Sequence, residues 1–161
     1  MQLVQRDEDK RFPKLNEHFS YYDIVCDGST EKMMQSFAQN RWAFPMTLYF
    51  ESTSIDKEVI FSSPLPIKEI RSIKKSMYVT ATGWQREYIP AYMLQIENES
   101  ILKLAFEELF YVAEQNYLFA LTNEPSLFYQ GYRLTTTSNT VEIITADYDG
   151  QGAVFITRKE E

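Results

Sequence analysis

The C-terminal third of the chain consists almost entirely of strand-forming segments, and no other feature constrains the fold as much. Four such segments follow one another, at residues 117–121, 129–136, 140–148 and 152–159. Asp149 and Gly150 lie between the last two segments and tolerate positive φ, so this pair predicts a β-hairpin. Consecutive hairpins build antiparallel sheets. The sequence therefore predicts an α+β fold, mainly an antiparallel sheet packed with helices, rather than a doubly wound parallel sheet.

Further strands are predicted earlier in the chain, at residues 21–26, 46–51, 58–62, 78–82 and 88–97. These segments are rich in aromatic and β-branched residues or alternate apolar with polar positions. Residues 53–57 predict the turn of a hairpin between the second and the third of them. Pro90 confines the start of the last one to a sheet edge or a bulge, because proline cannot donate to a strand ladder.

About three helices are expected to cover the sheet. The first follows Gly28, and its apolar positions fall at three-and-four spacing. The second is predicted to begin at Pro64–Pro66, since proline is tolerated in a first turn. Its apolar stripe consists of Ile67, Ile70, Ile73 and Met77. The third, at residues 99–115, is so broadly apolar that we expect it to lie across the sheet.

The chain has 161 residues, which fits one domain with a single core. Residues 1–18 are polar and mixed in charge, and they predict an N-terminal extension or a loosely held arm. Residues 19–161 contain no Pro-rich or Gly/Ser-rich linker and no internal repeat. They are expected to form a single α+β domain.

Acidic side chains outnumber basic ones by 23 to 16, which gives a formal net charge of -7. A chain of this charge repels phosphate backbones and anionic membranes, so general nucleic-acid binding and membrane binding are disfavoured. A basic protein partner would be attracted by the same field. Negative charge also serves solubility alone, and that ordinary explanation stays open.

Cys26 and His18 are the only thiol and the only imidazole. One cysteine allows no internal disulfide, which suits the reducing cytoplasm. No signal peptide or transmembrane segment is visible. Strand period groups Cys26 with Tyr22 and Ile24, where a thiol behaves as a small apolar group, while His18 lies in a polar stretch. The sequence therefore argues against a Cys–His nucleophilic pair.

No motif for a metal or a cofactor stands out. Asp147 and Asp149 resemble the start of a calcium loop, but its twelfth position is Arg158 instead of a carboxylate. A hairpin turn explains the two acids equally well. The glycines form no motif that binds a nucleotide phosphate. With one His and one Cys, a zinc site would need mainly carboxylate ligands, which is unusual. The sequence predicts neither a cofactor nor a catalytic residue.

Two surface features are candidates for partner contact. The predicted second helix has a basic stripe that suits an anion or an acidic partner, although it also fits an ordinary solvated helix face: Lys68, Arg71, Lys74 and Lys75. Aromatic residues such as Trp84 and Tyr129 are typical interface anchors. Together with Asp147 and Asp149 they form the predicted partner-binding set, and core packing is the alternative role for the aromatic residues.

Three classes of function remain open at this stage. A small acidic chain without catalytic motifs is typical of a non-enzymatic protein that neutralises or inhibits a partner, as immunity proteins and phage-encoded inhibitors do. A hydrolase whose carboxylates meet only in the fold would leave little trace in the sequence. A structural or assembly subunit of a phage or a secretion system, joined through an edge strand, is the third. The oligomeric state is not predicted.

Overall fold

An eight-stranded antiparallel sheet forms the centre of the protein in the computed structural model. The structure describes residues 1–7, 11, 12, 15, 18–81 and 83–160, and at residues 73–80 and 84–87 it describes the backbone alone. The strands of the sheet are β1 Gln2–Arg6, β2 Phe19–Val25, β3 Met46–Glu51, β4 Lys68–Thr80, β5 Gly83–Ile96, β6 Phe119–Thr122, β9 Ile143–Ala146 and β10 Ala153–Arg158. A separate two-stranded sheet pairs β7 Phe128–Gln130 with β8 Arg133–Thr135.

The strand order is β1-β2-β10-β9-β6-β3-β5-β4, and every pairing that the structure describes in this sheet is antiparallel. β9 and β10 form the predicted C-terminal hairpin. Its connection contains Asp149 at φ 57° and Gly150 at φ 71°, as the Asp-Gly signal predicts. The α+β prediction is therefore confirmed, with an antiparallel sheet and the last strands inside it.

One helical layer covers the first face of the sheet. Its elements are α1 Thr30–Arg41, the short α2 Lys57–Phe61, α3 Glu99–Leu109 and the single turn α4 Tyr111–Glu114. Ser29 caps α1 by accepting from the Lys32 amide, and Asn98 caps α3 by accepting from the Ile101 amide. The predicted third helix is thus real, but it is interrupted at Phe110, between α3 and α4.

The sheet has a buried core on each face, which explains why all six residues of β3 are buried. Leu48 and Phe50 belong to the larger core beneath the helices. Tyr49 belongs to the smaller core, where Phe12, Leu15 and the β7–β8 segment cover the second face. A strand covered on both faces gains apolar burial from every position, so an alternating pattern is not required of it.

Two local predictions in the middle of the chain are wrong. Residues 58–61 of the predicted hairpin strand 58–62 belong to α2 instead, Ser62 caps that helix, and a 3-10 turn at Ser54–Asp56 precedes it. The helix predicted after Pro66 is the strand β4, which pairs with β5 over almost its whole length. Its spacing of Ile residues mimics a helical stripe because β4 has two bulges, between Glu69 and Arg71 and between Ser76 and Tyr78, each of which shifts the strand period.

The N-terminal segment also differs from the arm that its polarity suggests. β1 is an edge strand of the main sheet and pairs with β2 from Gln2 opposite Val25 to Arg6 opposite Tyr21. Phe12 and Leu15 are buried in the smaller core. The part of residues 1–18 that the structure describes thus contributes a strand and two core side chains, because long-range pairing compensates for weak local apolar patterning.

Glu142 links α1 to the C-terminal strands. Both carboxylate oxygens bind the Arg41 guanidinium, at 2.9 and 2.7 Å, and they also accept from the Trp42 indole and the Thr157 hydroxyl, each at 2.9 Å. Burial alone would raise the pKa of Glu142, but the hydrogen bonds from these three side chains and the charge of Arg41 outweigh it. The pKa of Glu142 is therefore held below its usual value of 4.5.

This arrangement predicts a loss of stability in acid. A carboxyl group with a lowered folded pKa stabilises the fold fully above its unfolded pKa, and this contribution disappears as the pH falls through the folded pKa. Glu142→Gln is expected to cost on the order of 2 kcal/mol at pH 7 and to cost little once the wild-type carboxylate is protonated. Urea unfolding of both proteins between neutral pH and about pH 3 measures the difference. A cost that is the same at both ends of this range would contradict the assignment.

Candidate functional site

The β4–β5 hairpin projects beyond the rest of the main sheet. β5 pairs with β3 from Ala91 to Ile96 only, whereas its pairing with β4 continues to Gly83 opposite Thr80. In the strand ladder that the structure describes, residues 72–90 therefore pair only with one another, and we call them the ribbon. At about 3.3 Å per residue the ribbon extends roughly 25 Å from the sheet.

The base of the ribbon is anchored on both strands. The Lys57 ammonium binds the Glu69 carboxylate at 2.7 Å, which fastens β4 to α2. The Ser52 amide donates to the Pro90 carbonyl at 3.2 Å, immediately beyond the last β3–β5 pair. Ile89 and Pro90 are buried. Pro90 thus lies where the ladder with β3 ends, which agrees with its exclusion from the middle of a sheet.

Alternate positions of β5 change their environment as the strand leaves the sheet. Tyr92, Leu94 and Ile96 are fully buried in the larger core. Tyr88 has the same strand phase, but it is 57% exposed because it lies beyond the helical layer. The next positions of this phase are Arg86 and Trp84, for which the structure describes the backbone alone. Both bulges lie in β4, so the period of β5 is uninterrupted.

Five of the residues predicted for partner contact lie on this one hairpin. They are Lys68, Arg71, Lys74 and Lys75 on β4, and Trp84 on β5. Lys68 and Arg71 are exposed near the base, and the register places Lys74 opposite Tyr88 and Lys75 opposite Glu87. The basic stripe and Trp84 were separate features in the sequence, and strand pairing brings them together.

The β4–β5 hairpin and the rest of the chain have opposite net charges. Residues 68–90 have five basic and two acidic side chains, a net charge of +3. The remaining residues therefore have a net charge of -10. At physiological salt, screening acts over about 8 Å, so the outer part of the ribbon is electrostatically separate from the acidic body.

A cavity of about 310 Å³ lies on the second face of the sheet, beside the base of the ribbon. It is lined by Glu51, Ile89 and Tyr132, and by the arginines Arg11 and Arg133. Glu51 is only 4% exposed, and it accepts a hydrogen bond of 2.8 Å from the Tyr129 hydroxyl. Burial raises the pKa of Tyr129, and the charge and hydrogen bond of Glu51 raise it further, so the phenol stays protonated.

Tyr129 is therefore a structural residue more than an exposed anchor. Its hydroxyl is bound to Glu51, and the Arg71 guanidinium lies 6.0 Å from the centre of its ring. Phe128 and Tyr132, on the same β7–β8 segment, are the exposed aromatic residues at 43% and 57%. The strand pattern alone does not distinguish Tyr129 from these two, because its burial depends on packing against β3 and β4.

Asp147 and Asp149 have different environments within the β9–β10 connection. The Asp147 carboxylate lies 3.4 Å from Arg6 and 3.6 Å from Arg11, so it joins the N-terminal segment to the connection. Asp149 is exposed, and its amide donates to the Asn116 side chain at 3.4 Å. Asp147 thus has a clear structural role, and Asp149 is the acid that remains on the surface.

The two residues considered for nucleophilic chemistry are both on the surface. His18 is exposed, as its polar surroundings predict. The apolar environment expected for Cys26 is wrong: β2 ends at Val25, and the thiol is exposed and donates to the Asp27 carbonyl at 3.0 Å. Within the described part of the chain, no group of three or more His, Cys, Asp or Glu residues is arranged to hold a metal ion.

Sequence reasoning did not select Glu51 or the arginines near it. A signal for Glu51 was present, because a carboxylate directly follows the apolar residues of β3, where a charge is costly unless it is paired. Arg11 gave no such signal, since it lies in a polar segment. Comparison of the chain with protein-family models, curated proteins and solved structures finds no match. None of the described helices is long and apolar enough to cross a membrane.

Proposed function

We propose that this chain is a non-enzymatic binding protein that neutralises or inhibits a partner protein, and that it contacts this partner through the ribbon. The observation that carries the proposal is the projection of residues 72–90 beyond the sheet. An isolated two-stranded hairpin is at best marginally stable in water. Contact with a partner protein would therefore stabilise a ribbon of this length. Its apolar and aromatic residues suit such a role: Ile73, Met77, Tyr78, Val79, Trp84 and Tyr88.

The charge of the body supports a partner that has a basic region. Outside residues 68–90 the chain has a net charge of -10, and a field of this sign accelerates the approach of a basic surface. Exposed acids are concentrated on and around α3 and α4, at Glu97, Glu99, Glu107, Glu108 and Glu114. A single exposed cysteine suits the cytoplasm as the site of action, which we include in the proposal.

The alternative of a carboxylate hydrolase has less support. Such an enzyme needs two acids that converge on one cleft. Four cavities lined by described residues contain at most one carboxylate each: Glu51 in the cavity beside the base of the ribbon, and Glu160 in another. The third alternative, an assembly subunit, has the two edge strands β1 and β4 in its favour. β4 is rich in lysine and bulged, which are features that discourage pairing between edges.

Shortening the ribbon tests the proposal. Replacing residues 74–88 by a two-residue Asn-Gly turn joins the register partners Ile73 and Ile89, and it is expected to leave the body folded because the deleted pairs lie beyond the ladder with β3. The full chain is then used to capture a partner from its native host or from co-expression with a neighbouring reading frame. We expect the shortened chain to lose that partner and its inhibitory effect on it.

The control is Lys32→Gln, which changes an exposed charge on α1, outside the predicted partner-binding set, and leaves the ribbon intact. Thermal unfolding of all three proteins checks that each is folded. Equal capture by the full and the shortened chain would overturn the role of the ribbon. If the full chain captures no partner at all, the proposal of a binding protein fails.

A further inference from the structure

The outer ribbon combines aromatic and basic positions on one side. Trp84, Arg86 and Tyr88 occupy successive alternate positions of β5. The register places Val79 opposite Trp84, Ser76 opposite Arg86 and Lys74 opposite Tyr88. Residues of one strand phase, together with their direct partners, share one face of a two-stranded ribbon. This face, which we call the aromatic–basic face, therefore holds two cations and two large aromatic residues, and no acid.

The opposite face is electrostatically balanced by comparison. The register places Lys75 opposite Glu87 there, so the formal charges of that pair cancel. The positive charge of the outer ribbon is thus concentrated on the aromatic–basic face. Within the sheet, the same phase of β5 is core, at Tyr92, Leu94 and Ile96. The face is consequently a continuation of a buried surface beyond the layer that buries it, and Tyr88 is its first exposed member at 57%.

We infer that the aromatic–basic face binds an acidic segment of the partner protein. This inference rests on the proposed function and adds the chemistry of the partner's contact site. Lysine and arginine bind carboxylates, and arginine and aromatic rings are the residues that most often dominate the binding energy of an interface. The partner is then bipolar: an acidic segment meets the ribbon, and a basic region meets the body, whose net charge is -10.

Charge favours an acidic protein segment over two other ligands of the aromatic–basic face. A single-stranded nucleic acid would also suit aromatic and basic positions, but its negative charges continue along the strand toward an acidic body that repels them. A second copy of this chain would place an acidic body against the ribbon, yet it would also bring together two bodies of the same charge. An acidic segment on a partner that is basic elsewhere avoids both penalties.

The experiment uses the full chain and labelled probes. Fluorescence anisotropy measures binding of a peptide of about ten residues, in which a short segment of about four glutamates and one tyrosine is flanked by neutral residues, and of an oligothymidylate of similar length, at about 50 mM salt. We expect the peptide to bind more tightly than the oligonucleotide. Charge reversal in the Lys74→Glu/Arg86→Glu variant is expected to weaken peptide binding at least about tenfold.

The matched control is Lys32→Glu/Lys103→Glu, which reverses two exposed charges on α1 and α3 and changes the net charge by the same amount. It is expected to leave peptide binding within about threefold of the wild type, since these sites lie outside the ribbon. If charge reversal destabilises the ribbon, the Lys74→Gln/Arg86→Gln variant removes both charges without introducing repulsion. Thermal unfolding identifies any variant that is not folded.

Three results would overturn the inference. They are tighter binding of the oligonucleotide, equal weakening by the ribbon and the body variants, and a concentration-dependent dimer in light scattering that the ribbon variant abolishes. None of them depends on capturing the natural partner. Failure of the full chain to capture a partner therefore tests the proposed function separately. Peptide binding that depends on Lys74 and Arg86 would support the acidic contact directly.

Discussion

Phe106→Ala is expected to lower the free energy of unfolding by about 3–5 kcal/mol, the largest effect that we predict for a single substitution. Phe106 is 1% exposed on the inner side of α3. Its ring meets that of Phe119 edge-on at 5.2 Å and stacks on that of Phe110 at 6.0 Å between centres. Truncation removes these contacts and leaves a cavity that rigid neighbours on β6 cannot fill.

Urea unfolding at pH 7, followed by tyrosine and tryptophan fluorescence and by circular dichroism, measures this loss. For a domain of this size the same change lowers the Tm by roughly 6–20 °C. Phe128→Ala is the matched control, because the same atoms are removed from a ring that is 43% exposed on β7. Its cost is expected to stay below about 1 kcal/mol. Comparable losses in the two variants would show that α3 does not pack on the sheet as described.

Tyr129→Phe is expected to cost about 2 kcal/mol, because it removes one hydroxyl that donates to a buried carboxylate. Glu51 is 4% exposed, so water does not readily replace the lost donor. The phenylalanine ring keeps the packing of Tyr129 against Leu127, Leu134 and the rest of the smaller core. The loss of unfolding free energy therefore measures mainly the hydrogen bond of 2.8 Å, and only to a small extent lost apolar contact.

A double-mutant cycle separates the charge of Glu51 from its shape. In the Glu51→Gln background the side chain is neutral and desolvating it costs less, so Tyr129→Phe should then cost under about 1 kcal/mol. Urea unfolding of the four proteins gives the coupling free energy. Tyr132→Phe, on an exposed ring of the same hairpin, controls for loss of a phenol as such. A coupling near zero would remove Glu51 as the partner that holds Tyr129.

Local patterns were sufficient for much of the fold. The 3.6-residue period identified α1, with its buried Met33, Met34 and Ala38, because burial on one face follows directly from that spacing. The Asp149–Gly150 pair identified the β9–β10 hairpin, because positive φ at both residues is a local steric requirement. These elements are specified by interactions within a few residues.

The errors arose where distant pairing decided the structure. β4 was predicted as a helix because its bulges disturb the alternation of apolar residues, and only its register with β5 shows that it is a strand. For the same reason the sequence did not show that Trp84 and the basic stripe share one hairpin. The hydrogen bond from Tyr129 to Glu51, 78 residues earlier in the chain, could not be predicted from either segment alone.

The position of β10 has a consequence for the order in which the protein can form. β10 lies between β2 and β9, and its residue Ala153 pairs with Ile24, a partner that is synthesised far earlier. Until β10 leaves the ribosome, β1 and β2 have no strand to connect them to the rest of the sheet. Such distant contacts slow folding, because the chain must lose the conformational entropy of a long loop before these contacts form. The nascent chain therefore exposes Tyr21 and Ile24 until β10 has been synthesised, and exposed apolar surface of this kind favours aggregation.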